Sequence, residues 1–166
     1  SKGKTVIPVN DELEHARNYL TIQKMRYKNK FAVSIDAAPE TLRLETIKLI
    51  VQPLLENAIY HGMEFMDGDG EIRVRSYVGE DGDLYIDVED NGSGIPEEVC
   101  GTLLTDETRV RSKGSGIGLR NVNQRIQLRY GEGYGLTILS EPDVGTTVRH
   151  LPRHSYDEAV KGGDVK

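Results

Sequence analysis

Apolar residues recur at helical spacing in three stretches of the chain, and alternate with polar residues in several others. The helical spacing predicts helices over residues 10–28, 41–62 and 117–130. The alternating or short apolar runs predict strands at residues 31–35, 71–78, 84–89, 136–140 and 146–151. Pro53 lies inside the second predicted helix, where its missing backbone donor should cause a kink.

The order of these elements favours one fold class. A polar turn at residues 79–83 joins two strand-like runs and predicts an antiparallel hairpin. Helices and strands are interspersed, yet hairpins outnumber the connections that would join parallel strands. We therefore expect an α/β two-layer sandwich, with helices packed on one face of a mixed sheet and a helix preceding it. Residues 91–115 carry little apolar periodicity and predict a long loop, which is usually functional.

Composition narrows the possible partners. The 166 residues suggest one domain, and 27 acidic against 21 basic residues give a net charge of −6. This balance argues against nucleic acid as a partner. No run approaches the ~20 apolar residues of a membrane span, so we expect no direct membrane contact by this chain. Cys100 is the single cysteine, which excludes an intramolecular disulfide and a multi-cysteine zinc site.

The first stretch that carries candidate binding or catalytic residues runs from Gln52 to Gly62. On a helix, Asn57 and His61 would share one face, and Glu56 would lie beside them. Seen alone, this pattern also fits a helix whose solvated side happens to carry polar residues.

The second stretch is Asp90-Asn91-Gly92-Ser93-Gly94, directly after a predicted strand. An aspartate at a strand end can accept a hydrogen bond from an exocyclic amine such as that of adenine. The glycines would let the backbone approach a flat ligand closely. A simple Asp-Asn-Gly turn is the alternative interpretation.

The third stretch, residues 113–122, has closely spaced glycines at the start of a predicted helix. Unpaired N–H groups at a helix start, together with the helix dipole, favour phosphate binding. The preceding residues 105–112 are polar, so the buried strand of a dinucleotide-binding fingerprint is missing.

Taken together and in this order, the three stretches resemble the N, G1 and G2 boxes of the Bergerat ATP-binding (GHKL) fold. That superfamily includes sensor histidine kinases, gyrase-type topoisomerases, heat-shock chaperone ATPases and mismatch-repair ATPases. Gly145-Thr146 resembles the final Gly-Thr element, and the resemblance extends from Phe31 to Pro152. The flanking residues 12–27, 52–58 and 114–122 are similar to those of LytS/YehU-like (YesM-like) sensor histidine kinases.

The resemblance implies ATP and Mg²⁺ as cofactors and assigns roles to individual residues. Asp90 would bind the adenine amine, with Thr146 beside it. Asn57 would ligate Mg²⁺, Glu56 would orient or polarise a group near the γ-phosphate, and His61 could reach the phosphates. The glycines expected to pass under the base are Gly92 and Gly94. The residues expected to hold the phosphates are Gly114, Ser115, Gly116, Ile117, Gly118 and Leu119. Residues 95–113 would form the ATP lid.

The resemblance also implies a domain plan and partners. Residues 1–29 would be the end of a dimerisation helix and linker, residues 30–152 the ATP-binding catalytic domain, and residues 153–166 a flexible tail. The domain would transfer the γ-phosphate to a histidine upstream of this segment, in a homodimeric protein that signals to a response regulator. The histidines of this chain lack the acceptor's sequence context: His15, His61, His150 and His154. We expect a cytoplasmic domain of a protein anchored in the cell membrane.

Two alternatives stay open at this point. One is another Bergerat-fold enzyme, either an ATPase or a serine kinase. The other is a degenerate nucleotide-binding module that only mediates interactions.

Overall fold

The elements of the chain follow the predicted order, with two additions near the start. A computed structural model describes residues 5–63, 66–92, 117–141, 144–152 and 155–156. The helices are α1 (Val9–Arg26), α2 (Val51–His61) and α3 (Ile117–Tyr130) within those ranges. The strands are β1 (Val6–Pro8), β2 (Phe31–Ala37), β3 (Glu45–Ile47), β4 (Gly70–Val78), β5 (Leu84–Asp90), β6 (Gly135–Glu141) and β7 (Val144–Leu151).

The principal sheet has five strands in the order β2-β4-β5-β7-β6. Strands β2 and β4 are parallel, and the remaining neighbours are antiparallel. The predicted hairpin is therefore confirmed as β4 and β5, and the sheet is mixed as expected. Along β4, Ile72 and Val74 are buried while Glu71 and Arg73 are exposed, so one face of the sheet packs on the core.

The helices pack on that buried face and share one hydrophobic core with it. The buried apolar side chains of α1 and α2 are Val9, Leu13, Ala16, Leu20, Val51, Leu54, Leu55, Ala58 and Ile59. Helix α1 thus packs into the same core as the rest of the domain. The division of the chain at residue 29 stays a prediction about the longer protein.

The predicted helix over residues 41–62 is wrong in its first half. Residues Glu45–Ile47 form β3, which pairs antiparallel with the unpredicted strand β1. All the apolar positions that suggested the helix are nevertheless buried: Leu44, Ile47, Val51, Leu54, Leu55 and Ala58. Burial on a short strand followed by a helix produced the same spacing as one long helix would.

Helix α2 begins at Val51, so Pro53 lies in its first turn. The first four N–H groups of an α-helix have no acceptor within the helix. Proline therefore removes no hydrogen bond here, and the expected kink at Pro53 has no cause.

No helix within the ranges that the structure describes combines the length and the apolar composition needed to cross a bilayer.

Candidate nucleotide-binding site

Helix α2 carries a buried polar side chain at the centre of the candidate site. Asn57 is only 7% exposed. Its side-chain oxygen Oδ1 has no hydrogen-bond partner within the part of the chain that the structure describes. Buried polar atoms are rarely left unpaired in folded proteins. An oxygen in this state is suited to bind a ligand, and a neutral amide oxygen is a donor that Mg²⁺ accepts.

The C-terminal end of α2 meets the end of β5, where Asp90 lies. The backbone N–H of Gly92 donates to Oδ1 of Asp90 at 2.8 Å. A Cβ atom added at Gly92 would lie 2.3 Å from the Cα of Gly62, and one added at Gly62 would lie 2.9 Å from Oδ1 of Asp90. Two glycines thus let β5 and α2 approach closely enough to hold the carboxylate between them.

Gly62 is a site residue that the sequence reasoning missed. A glycine directly after a helix is common as a helix C-cap, and in the structure Gly62 is that cap. The contact with Gly92 joins segments about 30 residues apart in sequence, so no local pattern distinguishes it from an ordinary cap.

Burial raises the pKa of Asp90 from 3.8 to about 6, and the hydrogen bond from Gly92 opposes this rise only partly. Because the folded-state pKa is the higher one, Asp90 contributes stability that is fully present below pH 3.8 and is lost as the pH rises through 6. We expect this contribution to fall by up to about 3 kcal/mol between those pH values. Urea unfolding of wild-type protein and Asp90→Asn at pH 4.5 and 7.5 measures it. A stability difference between the two proteins that is the same at both pH values would contradict the prediction.

The N-terminal end of α2 meets the start of α3. A Cβ atom added at Gly118 would lie 3.5 Å from the Cβ of Pro53, which is ordinary contact. Asn57 follows Pro53 by one helical turn and shares its face. Because an α-helix rises 1.5 Å per residue, Pro53 and Gly62 are roughly 14 Å apart along α2. Helix α2 therefore has the Asp90 carboxylate at its C-terminal end and the start of α3 at its N-terminal end.

Backbone register places Thr146 beside the same strand end. Strand β7 pairs Thr146 with Glu89 and Gly145 with Asp90. His61 lies one turn after Asn57 on α2. The side chains of His61, Ile117 and Thr146 lie outside what the structure describes. The predicted residues Gly94, Gly114, Ser115 and Gly116, and the lid at residues 95–113, also lie outside it.

A cavity of about 360 Å³ lies where α1, α2 and the start of α3 meet. It is lined by Glu56, Gly118 and Leu119 from the predicted site, together with Tyr19 and Arg26 of α1. Burial, followed by the nearby Glu56 carboxylate, raises the pKa of Tyr19 to about 12. The phenol therefore stays protonated, and able to donate a hydrogen bond, well above pH 10. Sequence reasoning predicted no site residue on α1, because residues 12–27 resembled the family only as a flanking segment.

Within the described ranges, no group of three or more His, Cys, Asp or Glu side chains could hold a metal ion.

Comparison with known sequences identifies the family. The sequence model of the "Histidine kinase-, DNA gyrase B-, and HSP90-like ATPase" family matches residues 43–155. Sensor histidine kinase YesM of Bacillus subtilis is 35% identical over 145 residues, which cover 87% of this chain and 23% of YesM. Sensor protein LytS of Enterococcus faecalis is 33% identical over 149 residues, which cover 89% of this chain and 25% of LytS. The chain thus spans about a quarter of the length of these relatives.

Solved structures show the same fold. The nucleotide-free catalytic domain of histidine kinase ThkA superposes with a TM-score of 0.67 at 17% identity, covering 91% of this chain and 96% of that one. A mycobacterial sensor histidine kinase, MprB, gives a TM-score of 0.67 at 21% identity, covering 92% of this chain and 99% of that one. The α/β two-layer fold expected from the sequence is therefore confirmed. The chain belongs to the histidine kinase-, DNA gyrase B- and HSP90-like ATPase family, and most of its length is similar to the sensor histidine kinases YesM and LytS.

Proposed function

We propose that this domain binds ATP together with Mg²⁺ along helix α2 and transfers the γ-phosphate to a histidine in an upstream segment. The observation that carries the proposal is that Oδ1 of Asn57 has no hydrogen-bond partner among the residues that the structure describes. It lies on α2 between the Asp90 carboxylate at one end and the start of α3 at the other. This is the order in which a nucleotide would present its base, its metal-bound phosphates and its terminal phosphate.

At the base end, Asp90 accepts a hydrogen bond from the adenine amine. Gly62 and Gly92 hold the carboxylate in place, since any Cβ atom at either position would collide with backbone or with Asp90 itself. Thr146 supports Asp90 from the neighbouring strand, and Gly94 lets the loop pass under the base.

At the phosphate end, Asn57 provides one neutral oxygen ligand for Mg²⁺. The ion would neutralise charge on the phosphate oxygens, which is its usual contribution to phosphoryl transfer. Backbone N–H groups at the start of α3, which have no acceptor within the helix, bind the phosphates. The residues proposed to bind the phosphates are Ile117, Gly118 and Leu119 at the start of α3, together with Gly114, Ser115 and Gly116, which precede it in sequence.

Glu56 lies next to Asn57 on the exposed side of α2 and lines the cavity at α1. Its carboxylate orients or polarises a group near the γ-phosphate. His61 lies one turn beyond Asn57 and reaches the phosphates. The domain's work is chiefly to position the reacting groups and to stabilise charge.

The remaining proposals concern the longer protein. The acceptor histidine lies in an upstream dimerisation segment, so the protein acts as a homodimer, and the phosphate passes to a response regulator. Residues 1–29 connect to that segment, residues 30–152 form the catalytic domain and residues 153–166 form a C-terminal tail. The domain is cytoplasmic and the whole protein is anchored in the cell membrane.

Calorimetric titration with ATP, in Mg²⁺ and in EDTA, tests the proposed nucleotide site. We expect wild-type protein to bind ATP more tightly in Mg²⁺ than in EDTA. Asn57→Ala should lose most of this Mg²⁺-dependent gain, yet it should stay folded, because Oδ1 of Asn57 makes no hydrogen bond in the described part of the chain.

Asn10→Ala is the matched control, since Asn10 is an exposed asparagine in the first turn of α1. It should bind ATP as the wild type does. The absence of ATP binding by folded wild-type protein would overturn the proposal. A Mg²⁺-dependent gain that is unchanged in Asn57→Ala would remove Asn57 from the metal site.

A further inference from the structure

The turn that leads into α2 is capped by a carboxylate from another helix. Glu12 of α1 is 1% exposed. Its Oε1 accepts the N–H of Leu49 at 2.9 Å, and its Oε2 accepts those of Ile50 at 2.7 Å and Val51 at 2.8 Å. Ile50 is the N-cap of α2 and provides no side-chain cap. The charge of Glu12 also suits the positive end of the helix dipole.

The same turn is held on its other side by α3. Nη1 of Arg125 donates to the carbonyl oxygen of Leu49 at 3.2 Å, and Nη2 donates to that of Lys48. The planar guanidinium thus binds two successive carbonyl groups, a geometry that lysine cannot reproduce.

Leu49 adopts an uncommon backbone conformation at the centre of these contacts. Its φ is 59°, in the left-handed region that non-glycine residues seldom enter. Its side chain is 46% exposed, so burial of the side chain does not explain the conformation. Instead, the backbone of Leu49 is fixed by the hydrogen bond that its N–H donates to Glu12 and the one that its carbonyl oxygen accepts from Arg125. We call Glu12, Leu49 and Arg125 the clamp.

A second contact ties α3 to the segment before α2. Glu45 of β3 accepts a hydrogen bond from the hydroxyl of Tyr130, and Nε of Arg129 lies 3.7 Å from its Oε2. Glu45 is 3% exposed. Helix α3 is therefore anchored to the entry of α2 at more than one point.

We infer that the clamp positions the N-terminal half of α2 against α3, and thereby sets Asn57 at the correct distance from the phosphate-binding start of α3. This inference rests on the proposed function. Glu12 and Arg125 are positioning residues, since they act through α2 and α3. The base end of the site, at Gly62, Asp90 and Gly92, lies roughly 17 Å beyond Val51 along α2. None of the clamp's hydrogen bonds within the described part of the chain reaches it.

Because of this separation, disrupting the clamp should affect the phosphate end of the site and not the base end. Loss of the clamp should reduce the Mg²⁺-dependent gain in ATP affinity and leave the affinity measured in EDTA nearly unchanged. A purely structural role would instead lower the free energy of unfolding without altering the ratio of the two affinities.

The test titrates ATP, in Mg²⁺ and in EDTA, into Glu12→Gln, Arg125→Met and Arg125→Lys. Glu12→Gln keeps the shape of the side chain but replaces one accepting oxygen with an N–H₂ group. We expect the ratio of the dissociation constants in EDTA and Mg²⁺ to fall roughly tenfold in Glu12→Gln and Arg125→Met. Arg125→Lys keeps the charge and the aliphatic stem, so it should fold even where the other variants do not. It loses the planar guanidinium group, so the ratio of the dissociation constants should fall as it does in the other two variants.

The controls are Glu14→Gln and Arg17→Met, which alter an exposed ion pair of 3.4 Å on α1. Both should keep the wild-type ratio. Folded clamp variants with the wild-type ratio would overturn the inference while leaving the proposed function intact. Wild-type protein that binds no ATP would overturn the proposed function itself, and the two failures are therefore distinguishable.

Discussion

Replacing Asp90 with asparagine should weaken ATP binding about 10- to 100-fold, since a hydrogen bond to a charged group contributes about 1.5–3 kcal/mol. Asparagine keeps the shape of the side chain and an oxygen that can accept the N–H of Gly92, which lies at 2.8 Å in the wild type. What it loses is the second carboxylate oxygen, which would accept from the adenine amine, because an N–H₂ group that can only donate takes its place. Calorimetric titration at pH 8 measures the effect. At that pH Asp90 is ionised, because its pKa is about 6.

Glu89→Gln is the matched control for this experiment. Glu89 precedes Asp90 on β5 and, since side chains alternate along a strand, lies on the other face of the sheet. Oε1 of Glu89 is 3.6 Å from Nε of Arg75. We expect Glu89→Gln to bind ATP within twofold of the wild type. Wild-type affinity in Asp90→Asn would show that the base binds elsewhere.

The part of the site that could be predicted from sequence is the part carried by contiguous motifs. Asp90 ends a strand and precedes a glycine turn, and Asn57 lies in an apolar helix. Both features can be recognised from neighbouring residues, and the order of the motifs identified the family. The hairpin of β4 and β5 was predictable for the same reason, because alternation and a polar turn are local signals.

The unpredicted features depend on contacts between distant parts of the chain. Glu12 and Leu49 are 37 positions apart, and Arg125 and Leu49 are 76 apart. Strands β1 and β3 have only three residues each, which is too short for a period of two to be distinguished from helical spacing. In each case, tertiary contacts determine the local structure, and a single sequence contains no local pattern that indicates those contacts.

Gly92→Ala should both destabilise the domain and remove most of its affinity for ATP. The added Cβ would lie 2.3 Å from the Cα of Gly62 and 3.0 Å from Oδ1 of Asp90. Because the nearest atom belongs to the backbone, no side-chain rotation can relieve the collision. The end of β5 must move away from the end of α2, and we expect the free energy of unfolding to fall by about 1–3 kcal/mol. Urea unfolding gives this value, and ATP titration below the unfolding transition gives the affinity.

Gly133→Ala is the control, since a Cβ atom there would meet no heavy atom within 4 Å. We expect its stability to stay within about 1 kcal/mol of the wild type, with unchanged ATP affinity.

Comparison of Gly92→Ala with Asp90→Asn then separates two properties of the base end. The first variant displaces a carboxylate that keeps both accepting oxygens, and the second replaces one accepting oxygen without displacing the side chain. A larger loss of affinity in Gly92→Ala would mean that the close approach of the two glycines contributes more to recognition of the base than that accepting oxygen does. Wild-type affinity in a folded Gly92→Ala would contradict a base site built on that approach.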